Sequence, residues 1–203
     1  MQTAIRSCSS ALLPALLPAL LLALTLFLPG CATLSKDECR HGDWYEIGLR
    51  DGQTGQTSSR IVKHREACSE YNIEPDTLKY KAGREAGLKE YCQLRNAFRT
   101  GLDGHKYAGV CPPAIDSAFR RYNAAAYEVY RLRKEIESVE DRIYDKERLL
   151  DEKKERKLTA DERDRLRDEI RDLDRRRDRL RDDLRRADID LDRMMDDLRR
   201  SNL

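Results

Sequence analysis

Net charge is what this 203-residue chain has least of: 40 Lys and Arg stand against 38 Asp and Glu, a formal balance of +2. The arginine runs look basic, yet no net field exists to draw nucleic acid or an anionic lipid surface. Nucleic acid is therefore excluded as a partner. Large side chains are also few, with one Trp and three Phe. Aromatic, glycine and cysteine residues lie almost entirely before about Tyr130, so only that region can build a compact core. Motifs of chemistry are missing too. No two histidines stand four apart, no glycine-rich phosphate loop follows a strand pattern, and there is no nucleophile elbow. Nothing implies a cofactor. His41, His64 and His105 read as polar surface residues, Asp43 as a helix start and Asp51-Gly52 as a turn, rather than as a pair of glycosidase carboxylates.

What is present begins with an address. Arg6 leads into an apolar run from Ala11 to Leu28, and Leu28-Pro29-Gly30-Cys31 follows. A basic start, an apolar stretch and a small residue before cysteine have the layout of a bacterial lipoprotein signal. The rival is an uncleaved membrane anchor, which Pro14 and Pro18 weaken. The expected organisation is a signal over residues 1–30, lipidation at Cys31 and a tether over 31–38. The membrane is then a partner through the N-terminal lipid. Ala32 after the cysteine, in place of an aspartate of the kind that retains some lipoproteins at the inner membrane, favours the outer membrane, with the chain facing the periplasm.

Of the six cysteines, Cys8 leaves with the signal and Cys31 takes the lipid, which leaves Cys39, Cys68, Cys92 and Cys111. Four cysteines in an exported chain with little apolar surface read as two disulfides. Three connectivities are open. Sequential pairing, Cys39 with Cys68 and Cys92 with Cys111, is favoured because it closes two short loops around turn-rich segments. No pair has the spacing of two to four residues usual in structural zinc sites, so no metal is expected.

Between 39 and 122 the periodicity is helical. A first helix starts between Asp37 and Asp43, carries Trp44, Ile47 and Leu49, and ends in the Gly52 to Ser59 turn cluster. Ile61, Val62, Ala67, Cys68 and Tyr71 make a second segment, and Asp76 or Thr77 caps a third that runs to about Cys92. Trp44-Tyr45-Glu46-Ile47-Gly48 with Asp51-Gly52 is echoed by Tyr80 with Gly83-Arg84 and Gly87, and in shortened form by Phe98 to Gly104. Glycines four apart share a helix face and each costs about 1 kcal/mol against alanine in a helix interior, so close helix approach is their expected gain. Gly101 and Gly104 read instead as helix ends.

Together with the lipobox, Asp43-Trp44-Tyr45, Gly48, Asp51-Gly52, Tyr80, Gly83-Arg84, Gly87-Leu88, Tyr91-Cys92, Gly101, Gly104, Tyr107 and Val110-Cys111-Pro112 resemble the bacterial lipoproteins that carry domain of unknown function 2799. The resemblance covers about Cys39 to Tyr122. It implies a small, exported, lipid-anchored domain and adds no catalytic residues.

Residues 123–203 form a charged tail. Ile115, Ala118, Tyr122, Ala125, Val129, Leu132, Ile136, Val139, Ile143 and Leu150 make one heptad seam, broken at Lys146. Leu166, Ile170, Leu173, Leu180, Leu184, Ala187, Leu191, Met194 and Leu198 make a second, broken at Arg177. The seams are out of phase, and Thr159 with Glu162 forms a capping box between them. Helices over about 114–156 and 160–200 are expected, folded back as an antiparallel hairpin. A parallel dimer of one long helix and a solvated single helix held by pairs such as Asp168 with Arg171 or Asp172 with Arg176 are the rivals.

The whole reads as an all-α, disulfide-stapled head with a coiled-coil-like hairpin tail, acting through contacts rather than catalysis. The partner is an envelope protein or a second copy, engaged through 123–203. A peptidoglycan-acting enzyme and a glycan-binding module using Trp44, Tyr45, Tyr80, Tyr91 and Tyr107 are the alternatives. Burial of Trp44 counts against the last.

Overall fold

A computed structural model describes residues 33–152 and 158–201, so Cys31, the expected export signal and the residues between the two tail seams at 153–157 lie outside the described residues. Every regular element within them is helical. The expected first helix is two. α1 spans Lys36–His41 and α2 Trp44–Gln53. Ser35 and Glu38 form a capping box that starts α1, and Gly42 leaves the helical region, letting the Asp43 side chain accept from the Tyr45 amide and start α2. α3 covers Arg60–Ser69 and α4 Thr77–Tyr91, the latter capped by Asp76 as expected. α5, Leu94–Leu102, occupies the shortened third echo.

α2 and α4 run parallel with their backbones in direct contact. A Cβ added at Gly48 would stand 2.1 Å from the Tyr80 carbonyl oxygen, and one at Gly52 2.3 Å from that of Arg84. The same holds in reverse for Gly83 against Tyr45 at 1.9 Å and Gly87 against Leu49 at 2.2 Å. Carbonyl oxygens lying this near glycine Cα atoms supply weak Cα–H···O contacts in addition to dispersion. The glycine echo is thus a helix–helix interface. Gly101, the penultimate residue of α5, stands at the helix end and is also a close contact: a Cβ there would meet Ala126 and the Asn123 carbonyl of the next helix, both at 2.6 Å. Gly104 follows the helix with φ +85, in keeping with a helix end.

Around this pair lie two small cores. Leu34, Cys39, Trp44, Ile47, Ile61, Cys68 and Tyr80 form the first, with the Cys39–Cys68 disulfide inside it. Tyr91, Cys92, Ala97, Cys111 and Phe119 form the second around Cys92–Cys111. The pairing is the sequential one.

α6 opens on Pro113, a residue suited to the first helical position, and runs unbroken to Glu152. α7 runs from Ala160 to Ser201 behind the expected Thr159–Glu162 capping box. The two form an antiparallel hairpin. Leu132, Ile136, Val139 and Ile143 pack on Leu173 and Leu180. The seam breaks are bridged in different ways: Lys146 crosses to Glu169, and Arg177 pairs along its own helix with Asp174 and Asp178. The boundary at 122/123 falls inside α6. Moreover, α7 returns to the head, where Leu191 and Leu198 share a cluster with Phe98, Ala126 and Val129. Head and tail therefore have a common core, and the distal half of the hairpin projects from it as an arm.

Candidate functional site

A buried polar group in the head centres on Asp51, near the end of α2. Its Oδ2 accepts from the Tyr80 hydroxyl at 2.6 Å and lies 2.8 Å from His64 Nε2, while His64 Nδ1 lies 2.8 Å from the Thr33 hydroxyl. His64 corrects the surface reading of the histidines, being only 2% exposed; His41 and His105 are exposed. Burial pushes the Asp51 carboxyl up, but the hydrogen bonds from His64 and Tyr80 and the nearby His64 and Arg60 charges outweigh it and hold it below its ordinary value. Burial, together with the bond to Asp51, drives the Tyr80 hydroxyl well above its usual range. Sequence reasoning missed this group because its members come from four separate segments. A turn reading of Asp51-Gly52 concealed that Asp51 faces inward.

Hydroxyl, imidazole and carboxylate in line have the connectivity of a nucleophilic triad. Their surroundings fit a structural lock better. His64 and Tyr80 are sealed in the first core, with ring centroids 5.9 Å apart, so a substrate has no approach to the imidazole. What the chain gains is a fixed entry point: Thr33 is tied to His64, and Leu34 is buried beside it. The tether stretch is therefore docked from Thr33 onward.

The imagined carboxylate pair is not assembled. Asp43 caps α2, Asp51 is engaged with His64 and Tyr80, and eight residues of helix separate them by about 12 Å, beyond the roughly 5–9.5 Å of glycosidase pairs. Trp44, Tyr80 and Tyr91 are core residues, so those rings make no exposed stacking platform. Among the described residues no group of three His, Cys, Asp or Glu is placed to hold a metal ion, and no helix is long and apolar enough to cross a membrane.

The arm is the second candidate surface. Its outer faces carry a lattice of ion pairs three residues apart, Asp168 with Arg171, Asp172 with Arg175, Asp182 with Arg185 and Asp190 with Arg193 among them. Arg176, expected to pair with Asp172, crosses to Glu135 at 2.7 Å instead, and Arg181 reaches Glu140 at 2.6 Å. Exposed pairs of this kind contribute little each, about 0–1 kcal/mol. Their effect is to hold charge of both signs at fixed spacing. Two large apolar side chains stand out on the hairpin, Tyr144 at 66% exposure on the arm and Ile189 at 51% nearer the head.

Residues 43–128 match the model of a family described as a protein of unknown function, DUF2799. The match starts at the cap of α2 and ends in the proximal part of α6, so the arm lies beyond it. No curated protein and no solved structure matches the chain.

Proposed function

We propose that this is a lipid-anchored protein of the bacterial cell envelope, facing the periplasm from the outer membrane, that works as a structural or adaptor component through its helical arm. The observation that carries the reading is the continuity of α6. One 40-residue helix, about 60 Å at 1.5 Å per residue, belongs to the head core at one end and to the arm at the other. A contact at the tip is thereby held at a set distance from the head.

Two further features support the reading. The apolar seams are spent on each other inside the hairpin, which leaves a charge-patterned surface for recognition. Leu34 and Thr33 dock the chain close to Cys31, so lipid on that cysteine would keep the head at the bilayer. The partner is an envelope protein or a second copy of the chain.

The test is site-specific photo-crosslinking in cells. A photoreactive residue at Tyr144 is expected to capture a defined protein, whereas one at Leu78, 81% exposed on the head, is not. Capture from Leu78 alone would reverse the assignment.

A further inference from the structure

Between the α2–α3 turn and the α5–α6 loop lies a cleft of about 820 Å³, within the roughly 300–1,000 Å³ of small-molecule sites. We propose that this cleft binds a carboxylated sugar, with Arg99 and Lys106 holding the carboxylate and Gln56, Thr54 and Thr57 meeting the hydroxyls.

The cleft is built on fixed walls. On one side, Arg84 donates to the Gln56 carbonyl from Nε at 3.0 Å and from a terminal nitrogen at 2.7 Å, pinning the turn. On the other, the buried Asn123 holds the loop: its amide nitrogen donates to the His105 carbonyl at 2.9 Å and to the Thr100 hydroxyl at 3.1 Å, and its oxygen accepts from the Tyr107 amide at 2.8 Å. A site shaped before the ligand arrives loses less entropy on binding. Tyr91 and Tyr127 line the space between the walls.

Charge sorts the two walls. Arg99, His105 and Lys106 stand together on the loop side. None has a carboxylate partner among the described residues, in a chain whose arm arginines are paired with Asp or Glu throughout most of α7. The Lys106 ammonium lies 4.9 Å from the Tyr127 ring centroid, which steers it over the cleft floor. Asp103, the acid of the lining, is bonded to neither cation. The opposite wall is neutral and offers amide and hydroxyl groups, Thr54 donating its own proton to the Arg50 carbonyl and so keeping its oxygen as an acceptor. One anionic edge and one hydroxyl-rich edge describe a sugar acid. The volume is far larger than an inorganic anion needs and has room for one or two rings.

Isothermal titration of the full-length protein at low salt tests this, with N-acetylmuramic acid as the carboxylated sugar, N-acetylglucosamine as its neutral counterpart and inorganic phosphate as an anion without a ring. The carboxylated sugar is expected to bind with Kd below about 1 mM, and the other two at least about tenfold more weakly. Arg99→Gln and, separately, Lys106→Gln should each weaken it about tenfold or more, while Arg95→Gln, on the same helix outside the cleft, leaves it unchanged. Both cleft residues are exposed, so the variants fold. No heat from the carboxylated sugar at about 10 mM, equal binding of the neutral sugar or of phosphate, or indifference to both cleft substitutions would overturn the proposal.

Discussion

Gly48 and Gly83 make the same contact in opposite directions: a Cβ on the first would stand 2.1 Å from the Tyr80 carbonyl oxygen, and one on the second 1.9 Å from that of Tyr45. Tyr45 and Gly48 recur as Tyr80 and Gly83 at one constant spacing in the sequence. The internal echo is therefore a parallel helix pair formed by a repeat closing on itself. Gly83→Ala should force the two backbones apart. The clash outweighs the gain of about 1 kcal/mol in helix propensity, and a net loss of about 2 kcal/mol is expected in urea unfolding. Lys81→Ala, two residues away and exposed, should stay within about 0.5 kcal/mol of the parent.

Two short loops are closed by the disulfides, at sequence separations of 29 and 19. Loop-closure entropy gives each about 3–4 kcal/mol. Replacing Cys39 and Cys68 together by Ser should lower the unfolding free energy by about that amount. Urea titration with and without reductant measures it.

Asp51 is one of the groups through which acid should act. Its carboxyl sits below the ordinary value of 3.8, so the native state releases this proton more readily than the unfolded chain. The stabilisation is present in full above that value and is lost as pH falls through the lower, folded one. Wild type should therefore lose more stability than Asp51→Asn between pH 5 and about pH 2.5. Tyr107 behaves in the opposite sense at the alkaline end. Burial and the bond to Asp116 push its hydroxyl up to about 12, so its contribution is whole below the ordinary value of 10.0 and fades as pH rises from there towards 12. Tyr107→Phe should flatten that alkaline limb.

Much of this fold was legible from local signals. Thr159 and Glu162 marked the start of α7 because a capping box is read within four residues, and the out-of-phase seams marked the hairpin because heptad phase accumulates along a helix. Asp76 and the disulfide pairing were legible for similar reasons. Three features were not. The break at Gly42 turned one expected helix into two, since Asp43 can cap only if the residue before it leaves the helix. His64 looked like a surface residue because burial depends on partners 13 and 31 residues away, Asp51 and Thr33. Finally, the boundary drawn after residue 122 could not anticipate that Leu198 folds back onto Phe98, a contact that spans the whole hairpin.

Arg177 occupies a seam position and has its Nε buried without a hydrogen-bond partner. A buried donor left unpaired costs about 1–3 kcal/mol, and its exposed ion pairs to Asp174 and Asp178 recover little of this. Arg177→Leu should raise stability by about 1 kcal/mol, seen as a higher thermal midpoint. A lower midpoint would mean that the arginine's aliphatic stem already fills the seam better than leucine can.

Cysteines introduced at Leu150 and Leu166 should join within one chain, because the pairing of Lys146 with Glu169 sets these two positions opposite each other near the end of the hairpin. Non-reducing electrophoresis of purified protein should show a monomer with altered mobility. A disulfide-linked dimer in its place would favour pairing between chains.

The arm, and not the head, is the part proposed to engage the protein partner. Truncation after Arg131 is a poor test of it, because Phe98 and Val129 would lose Leu191 and Leu198. The direct measurement removes residues 137–179 and joins Ile136 to Leu180 with a short glycine-containing turn, which keeps the shared core and both disulfides. Whole-cell crosslinking of this protein is then compared with that of the full-length chain at matched expression. The account predicts that the crosslinked partner disappears while the shortened protein still accumulates with its disulfides formed. The same partner captured in the same yield would contradict it.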